Sequence, residues 1–400
     1  MNICSLLIAF VMSASGWSSG PVPSIDVETQ NRVFQELWGE QFSWKFNELP
    51  TEGTVPEFRL PYAGYIYPDS AGGTYRAVQK YDQAFYPGRS RAAAWEQADI
   101  AAHRQAIMRQ ASRGGFLFGR RTVMVQSFGT PHWHGHCNGW TAAAIRHGEP
   151  KRSVTKNGVV FAPSDIKGLL AELYTFCDIV DLGGENYGNV HPGTLHAVLA
   201  NWLGRQSHPI AMEATPGREK WNYPIYAFAT SSATRSGGRQ VEVKMNLKYA
   251  SNINREHDQA PANARTKYFH YLLDLDASGD IVGGRFFADS SQIDLLWVPR
   301  QPVPGGQEGN QLGNPHLNVG EVLALWRASV DPDLRDRWVN VDPAPDERGV
   351  IVRAAAPPQS VARSDTDNPP LDDVSPASPL NDPSLTGGGA SDTPTAASGP

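Results

Sequence analysis

Apolar residues recur at helical spacing over 24–42 (SIDVETQNRVFQELWGEQF), where Phe34, Leu37 and Trp38 share one face, and a second helix is predicted over 90–112. Between them, 54–88 is rich in Pro, Gly and Tyr and reads as irregular chain folded over a surface. Further helices are predicted near 137–147, 164–178 and 192–203; Pro192 suits a first helical position and Gly204 a C-terminal stop. The pattern then changes. Runs at 208–213, 220–229, 239–250, 267–276, 280–288 and 294–298 carry alternating or branched apolar residues, separated by turn signals such as DASGD at 276–280. Helices first and an antiparallel sheet second predict an α+β protein.

Composition adds limits to that picture. With 400 residues, 40% of them hydrophobic, the chain can bury a full core. Residues 4–12 (CSLLIAFVM), followed by Ser13, Ala14, Ser15 and Gly16, have the layout of an export signal, so 1–16 is expected to be removed and the protein secreted. No later run is long enough to span a bilayer, so no membrane partner is expected. From about residue 351 the chain turns to Pro, Ser, Asp, Ala and Gly and is expected to be a disordered acidic tail. Residues 361–400 hold six Asp against one Arg, so most of the net charge of −6 resides there. The remainder is nearly neutral, and no nucleic-acid surface is expected. This leaves a helical and irregular region at 17–119, packing on the core or acting as a propeptide, and a catalytic domain at 120–350.

The chemistry centres on one cysteine. Loss of Cys4 with the signal leaves Cys137 and Cys177, which do not describe a disulfide framework. Cys177, in LLAELYTFCDIV, reads as a small packed hydrophobe. Cys137 follows HWHGH and opens a helix through Asn138, Gly139, Trp140 and Thr141 into an alanine run. Amide groups at a helix start favour a thiolate and can bind a developing oxyanion. A thiol nucleophile also needs a base and a group that orients it. His208 opens a strand that leads through TPGREK toward Asn222, so a hairpin would carry base and orienting group on neighbouring strands. His196, on a predicted helix face, is the alternative base, and Asp181, Glu213 and Asn201 are weaker orienting groups.

The run GHCNGW, the later WNYPIYAF (221–228), YFHYLLDLDASGDIVGGRFF (268–287) and DLLWVP (294–299) together resemble the transglutaminase elicitor family. LPYAGYIYP (60–68), KYDQAF (80–85) and AAWE (93–96) extend the resemblance, which spans roughly residues 60–330. It implies a secreted protein-glutamine γ-glutamyltransferase with a papain-like core, a nucleophile helix packed on an antiparallel sheet. Cys137 would attack a glutamine carboxamide of a donor protein and pass the acyl group to a primary amine acceptor such as lysine. Cys137, His208 and Asn222 match the papain-type order. The chain lacks the glutamine that such enzymes place a few residues before the cysteine; the nearest upstream is Gln126. Trp133 or His134 then stands as the second oxyanion donor, and Trp140 and Trp221 join them as substrate-binding residues. No cofactor is implied, and calcium dependence and oligomeric state are not readable.

Other readings compete. A papain-like peptidase or amidase would use the same constellation with water as acceptor. His132, His134 and His136 would share a face of an extended strand and invite a zinc site, although the reading adopted here holds no metal. Asp274, Asp276, Ser278 and Asp280 imitate half an EF-hand loop, but Arg285 stands where a bidentate glutamate is required, so a hairpin turn is the better account. A non-enzymatic secreted binding module would instead use Trp95, Trp140, Trp221 and Trp297 to line a groove around an inert Cys137.

Overall fold

The computed structural model describes residues 25–113, 121–184 and 189–333. The expected signal at 1–16 and the acidic tail at 351–400 lie outside the described residues.

The described residues form seven α-helices: α1 (Val27–Trp38), α2 (Tyr75–Phe85), α3 (Ala92–Ala102), α4 (Cys137–Arg146), α5 (Pro163–Tyr174), α6 (Pro192–Leu199) and α7 (Val319–Ser329). The strands are β1 (Glu52–Thr54), β2 (Gln105–Arg113), β3 (Arg121–Gly129), β4 (Val154–Lys156), β5 (Val159–Phe161), β6 (Ile179–Gly184), β7 (Ile210–Glu213), β8 (Asn222–Thr234), β9 (Gln240–Ala250), β10 (Ala264–Leu275), β11 (Ile281–Phe286) and β12 (Leu295–Pro299). The main sheet runs β11-β10-β9-β8-β7-β12-β6, with β1 also paired to β8, and every pairing in it is antiparallel. Helix and antiparallel sheet therefore combine as an α+β fold.

Helix ends follow local chemistry. Asp26 Oδ1 accepts the Thr29 amide at 3.0 Å, and Gly39, at φ 65°, ends α1 in the left-handed conformation that a side chain would resist. The apolar face of α1 then buries Val33, Phe34 and Trp38 against Leu199, Trp202 and the inner face of the main sheet. Full burial of such side chains contributes roughly 1.5–3 kcal/mol each. Phe42, Trp44, Leu49 and Val55 enter the same core, so the segment before residue 119 supplies part of the packing behind the sheet.

Three expectations change. The helix predicted over 90–112 stops at Ala102, and Gln105–Arg113 pairs instead with Arg121–Gly129 as a separate two-stranded ribbon. The segment 54–88 holds a helix, α2, whose Ala77, Val78, Tyr81 and Ala84 pack against the helical side of the molecule. Finally, α6 does not end at Gly204. It passes at Ala200 into a π-helical turn ending at Arg205, where Gly204 meets Pro50 instead of serving as a stop. The DASGD segment is a hairpin turn between β10 and β11, in which Asp276 Oδ1 accepts from the amides of Ser278 and Asp280.

Candidate active site

Two glycines explain why the cysteine helix can sit where it does. A Cβ on Gly135 would lie 2.8 Å from the carbonyl oxygens of Ile66 and Tyr67, and one on Gly139 would lie 2.1 Å from Ala171 O. Glycine alone lets the chain pass the 66–67 backbone and lets α4 press on α5. The helix is buried almost all round, with Trp140 donating its indole N–H to Tyr62 O at 3.2 Å.

Cys137 is the first residue of α4 and is 5% exposed. It lines a cleft of about 440 Å³ together with Asp99, His103, Trp133, His134, Asn222 and Trp297. Asn222 opens β8, and its Nδ2 donates toward the Cys137 sulfur at 3.8 Å, while its Oδ1 accepts the Trp297 indole N–H at 2.9 Å. The thiol in turn donates to Lys220 O at 3.5 Å. Burial pushes the Cys137 thiol up, and hydrogen bonds from Asn222 and the Asn138 amide work in the opposite direction without cancelling it. Burial thus makes this sulfur harder to ionise than an ordinary thiol.

Cys137 and Asn222 are thus brought together, but His208 is not brought to them. The register of β7 against β8 pairs Glu213 with Asn222 and Ile210 with Ile225. His208 therefore lies five residues from Asn222's partner, before the start of β7 and away from the end of the strand that faces the sulfur. Its ring packs between Trp38 and Trp202, at centroid separations of 5.4 and 5.5 Å. Burial first, then Arg59, holds it well below the usual histidine range. His196 is also a core residue, bonded to Tyr271 Oη at 2.9 Å and stacked on Phe46, and burial lowers it to about 4. Neither lines the cleft.

Among the expected substrate-binding residues, Trp133 and His134 line the cleft, whereas Trp140 is 1% exposed inside the core and Trp221 stands outside the cleft beside His132. Glu213 lines the cleft but pairs with Lys220 at 2.6 Å. Asn201 is buried against Ser43 and Ala197, and Asp181 caps the Gly183 amide, so neither orients a cleft imidazole. The three alternate histidines do not converge. His132 faces Glu219 at 3.6 Å, His134 packs on Trp133, and His136 turns inward to Glu172 at 2.9 Å.

Sequence reading missed the imidazole and carboxylate that do share the cleft with the sulfur. His103, at the end of α3, lies 3.4 Å from Asp99 one turn earlier, and burial first pushes the Asp99 carboxyl up to about 6. The spacing of Asp99 and His103 on one helix face was the available signal, hidden by reading the helix onward through residue 112. Cys177, half-buried just after α5, lines the same cleft and bonds to Leu173 O at 3.2 Å.

A buried thiol at a helix start, faced by a strand asparagine and lining the same cleft as a histidine–carboxylate pair, brings together the group types that nucleophilic thiol chemistry uses. Residues 101–182 match the transglutaminase elicitor family, a stretch that contains His103 and Cys137. The fold is similar to the crystal structure of the GP42 transglutaminase from Phytophthora sojae, with a TM-score of 0.58 and 22% identity, covering 77% of this chain and 100% of that one. No curated protein sequence matches the chain. The resemblance to the transglutaminase elicitor family therefore stands over the segment that carries α4 and Cys137.

Proposed function

We propose that this protein is a protein-glutamine γ-glutamyltransferase with Cys137 as nucleophile. The observation that carries the reading is the sulfur at the first turn of α4, inside a cleft and 3.8 Å from the Asn222 carboxamide. The transglutaminase-like family match and the fold of the Phytophthora enzyme support it. The nucleophile helix packed on an antiparallel sheet supports the papain-like reading of the core. The histidine proposed here precedes the cysteine in sequence, which departs from the papain-type order.

The steps follow from the groups present. His103 takes the Cys137 proton, and its resulting positive charge is met by the Asp99 carboxylate 3.4 Å away. His134 lines the same cleft, but burial and then the neighbouring His103 lower it from the usual histidine value. The thiolate attacks the glutamine carboxamide carbon, and the developing oxyanion meets the amides at the α4 start and Asn222 Nδ2. His103 returns the proton to the leaving nitrogen, so ammonia departs and a thioester remains. A primary amine then attacks the thioester and loses its proton to His103, an isopeptide bond forms as the C–S bond breaks, and the released sulfur takes that proton back from His103. Water in place of the amine would give the hydrolase.

The test is incorporation of a tagged primary amine into a glutamine-donor protein. Wild type is expected to incorporate it and Cys137→Ala to be inactive with an unchanged far-ultraviolet spectrum. Incorporation that survives Cys137→Ala would overturn the proposal, and donor hydrolysis without amine incorporation would reassign the enzyme as an amidase.

A further inference from the structure

Directly behind the nucleophile, three helices deliver ionisable groups into a space that the acyl-transfer chemistry does not use. Glu96 comes from α3, Glu172 from α5, and His136 is the residue before α4. His136 Nε2 lies 2.9 Å from Glu172 Oε2 and 3.6 Å from Glu96 Oε1, and these ligand atoms all fall within 4.8 Å of one another. The residues are 0–3% exposed. Asp69 Oδ1 stands 3.9 Å from the other imidazole nitrogen.

Two features are not explained by an ion-pair cluster. Among the described residues His136 is the one cation paired with Glu96 and Glu172, so three buried carboxylates, with Asp69, face a single imidazole. Uncompensated negative charge in a buried space is costly. Also, Glu96 Oε1 is held by the Thr74 amide at 2.8 Å, while its sister oxygen Oε2 is buried with no hydrogen-bond partner. An orphan carboxylate oxygen inside such a cluster points to a missing positive ligand.

We propose that Glu96, His136 and Glu172 form a buried divalent-cation site of the zinc-binding type. An imidazole nitrogen with carboxylate oxygens suits such a cation, whereas calcium takes six to eight oxygens. At a tetrahedral centre with bonds of about 2.0–2.1 Å, ligand atoms sit about 3.3 Å apart. The observed 2.9 and 3.6 Å separations straddle that value. Glu96 would bind through one of its two oxygens, Oε2 being the one without a partner, and water would complete the shell. The surroundings are built to hold the ligands in place: Thr74 Oγ1 donates to Glu172 Oε2 at 2.7 Å and Asn314 Nδ2 to Glu172 Oε1 at 3.0 Å. His136 and Asp69 also border the Cys137 cleft, which gives the ion a route inward. The cation would displace the proton between His136 and Glu172 and tie α3 and α5 to the first turn of α4. Its role is to fix that turn, and it contributes no atom to the acyl transfer.

The full chain, stripped with a chelator, reloaded with zinc chloride and passed through gel filtration, should retain one zinc per chain and melt at a higher temperature than the stripped protein. Glu96→Gln keeps the side-chain shape, and it should retain about tenfold less zinc or lower and lose the thermal shift. Melting of stripped Glu96→Gln at or above stripped wild type reports that its fold is intact, and Glu172→Gln provides a second variant. Wild type that retains no zinc and shows no thermal shift overturns the site. Undiminished zinc in Glu96→Gln overturns it equally, by locating the metal elsewhere, as on His103 and His134. Both readouts apply unchanged to Cys137→Ala, so they are independent of the acyl-transfer proposal.

Discussion

At Asn222 one carboxamide serves two neighbours, and the Trp297 indole decides which end faces the sulfur. Asn222→Asp would replace the donor at 3.8 Å with a negative oxygen, adding repulsion to a thiol that burial already pushes up. Each pKa unit costs a factor of ten in thiolate below the pKa, so iodoacetamide labelling of Cys137 should slow by about tenfold or more at pH 7. Labelling of wild type should keep climbing with pH beyond the ordinary thiol range, and a plateau by pH 8 would contradict the burial effect. For the base, His103→Ala should lower amine incorporation by about a hundredfold or more with little change in melting. His208→Ala should do the reverse. It opens a void between Trp38 and Trp202 and is expected to cost roughly 2–4 kcal/mol of stability by denaturant unfolding. Loss of turnover in a stable His208→Ala would return the base to that residue.

Between elements, the contact most sensitive to size is α4 on α5. A methyl group at Gly139 would meet backbone, Ala171 O at 2.1 Å, which cannot rotate aside. Gly139→Ala should therefore lower stability by about 1–3 kcal/mol, read as a reduced denaturant midpoint, and displace the first turn that carries Cys137. An unchanged midpoint would mean that the helices separate at no cost. Such local constraints were visible in the sequence: Gly135, Gly139 and the alanines around Cys137 announced a tightly packed helix start, and the strands from β7 to β12 were marked by alternation and turns. Pairings across the chain were not. The alternation in Gln105–Arg113 lacks meaning until Arg121–Gly129 lies beside it, and so β2 was read as helix and His103 was absorbed into it. The same blindness to register made His208 and Asn222 look like partners, because hairpin connectivity fixes adjacency of strands but not which residues lie opposite. Glu96 and Glu172 come from α3 and α5 and His136 from the turn before α4, and no spacing rule in the chain predicts their meeting.

Across the whole molecule, burial works against the charged form of several histidines, among them three in the core. His147 bonds to Tyr174 Oη at 2.7 Å, His196 to Tyr271 Oη at 2.9 Å, and His208 sits between tryptophans. Burial lowers all three below the ordinary histidine value. At these three sites the unfolded chain therefore binds protons that the folded one refuses, so their contribution to stability is full above about pH 6.5 and falls as the pH drops through that value toward the folded pKa, whereas His136, which despite burial is held above the usual histidine range by Glu96 and Glu172, contributes in the opposite sense. For His196, lowered to about 4, the loss accumulated by pH 4 is about 3 kcal/mol. Asp99, raised to about 6, works against this trend because the folded state holds its proton more firmly, but it is only half-buried and its weight is correspondingly smaller. Denaturant unfolding at pH 7 and pH 4 isolates the histidine contribution when wild type is set beside His196→Gln. The variant cannot titrate at that position, so its acid penalty should be smaller by about 3 kcal/mol even if its stability at pH 7 is lower. Equal penalties in the two proteins would mean that His196 gains its proton without unfolding, and the packed interior between α6 and β10 would then have to admit water.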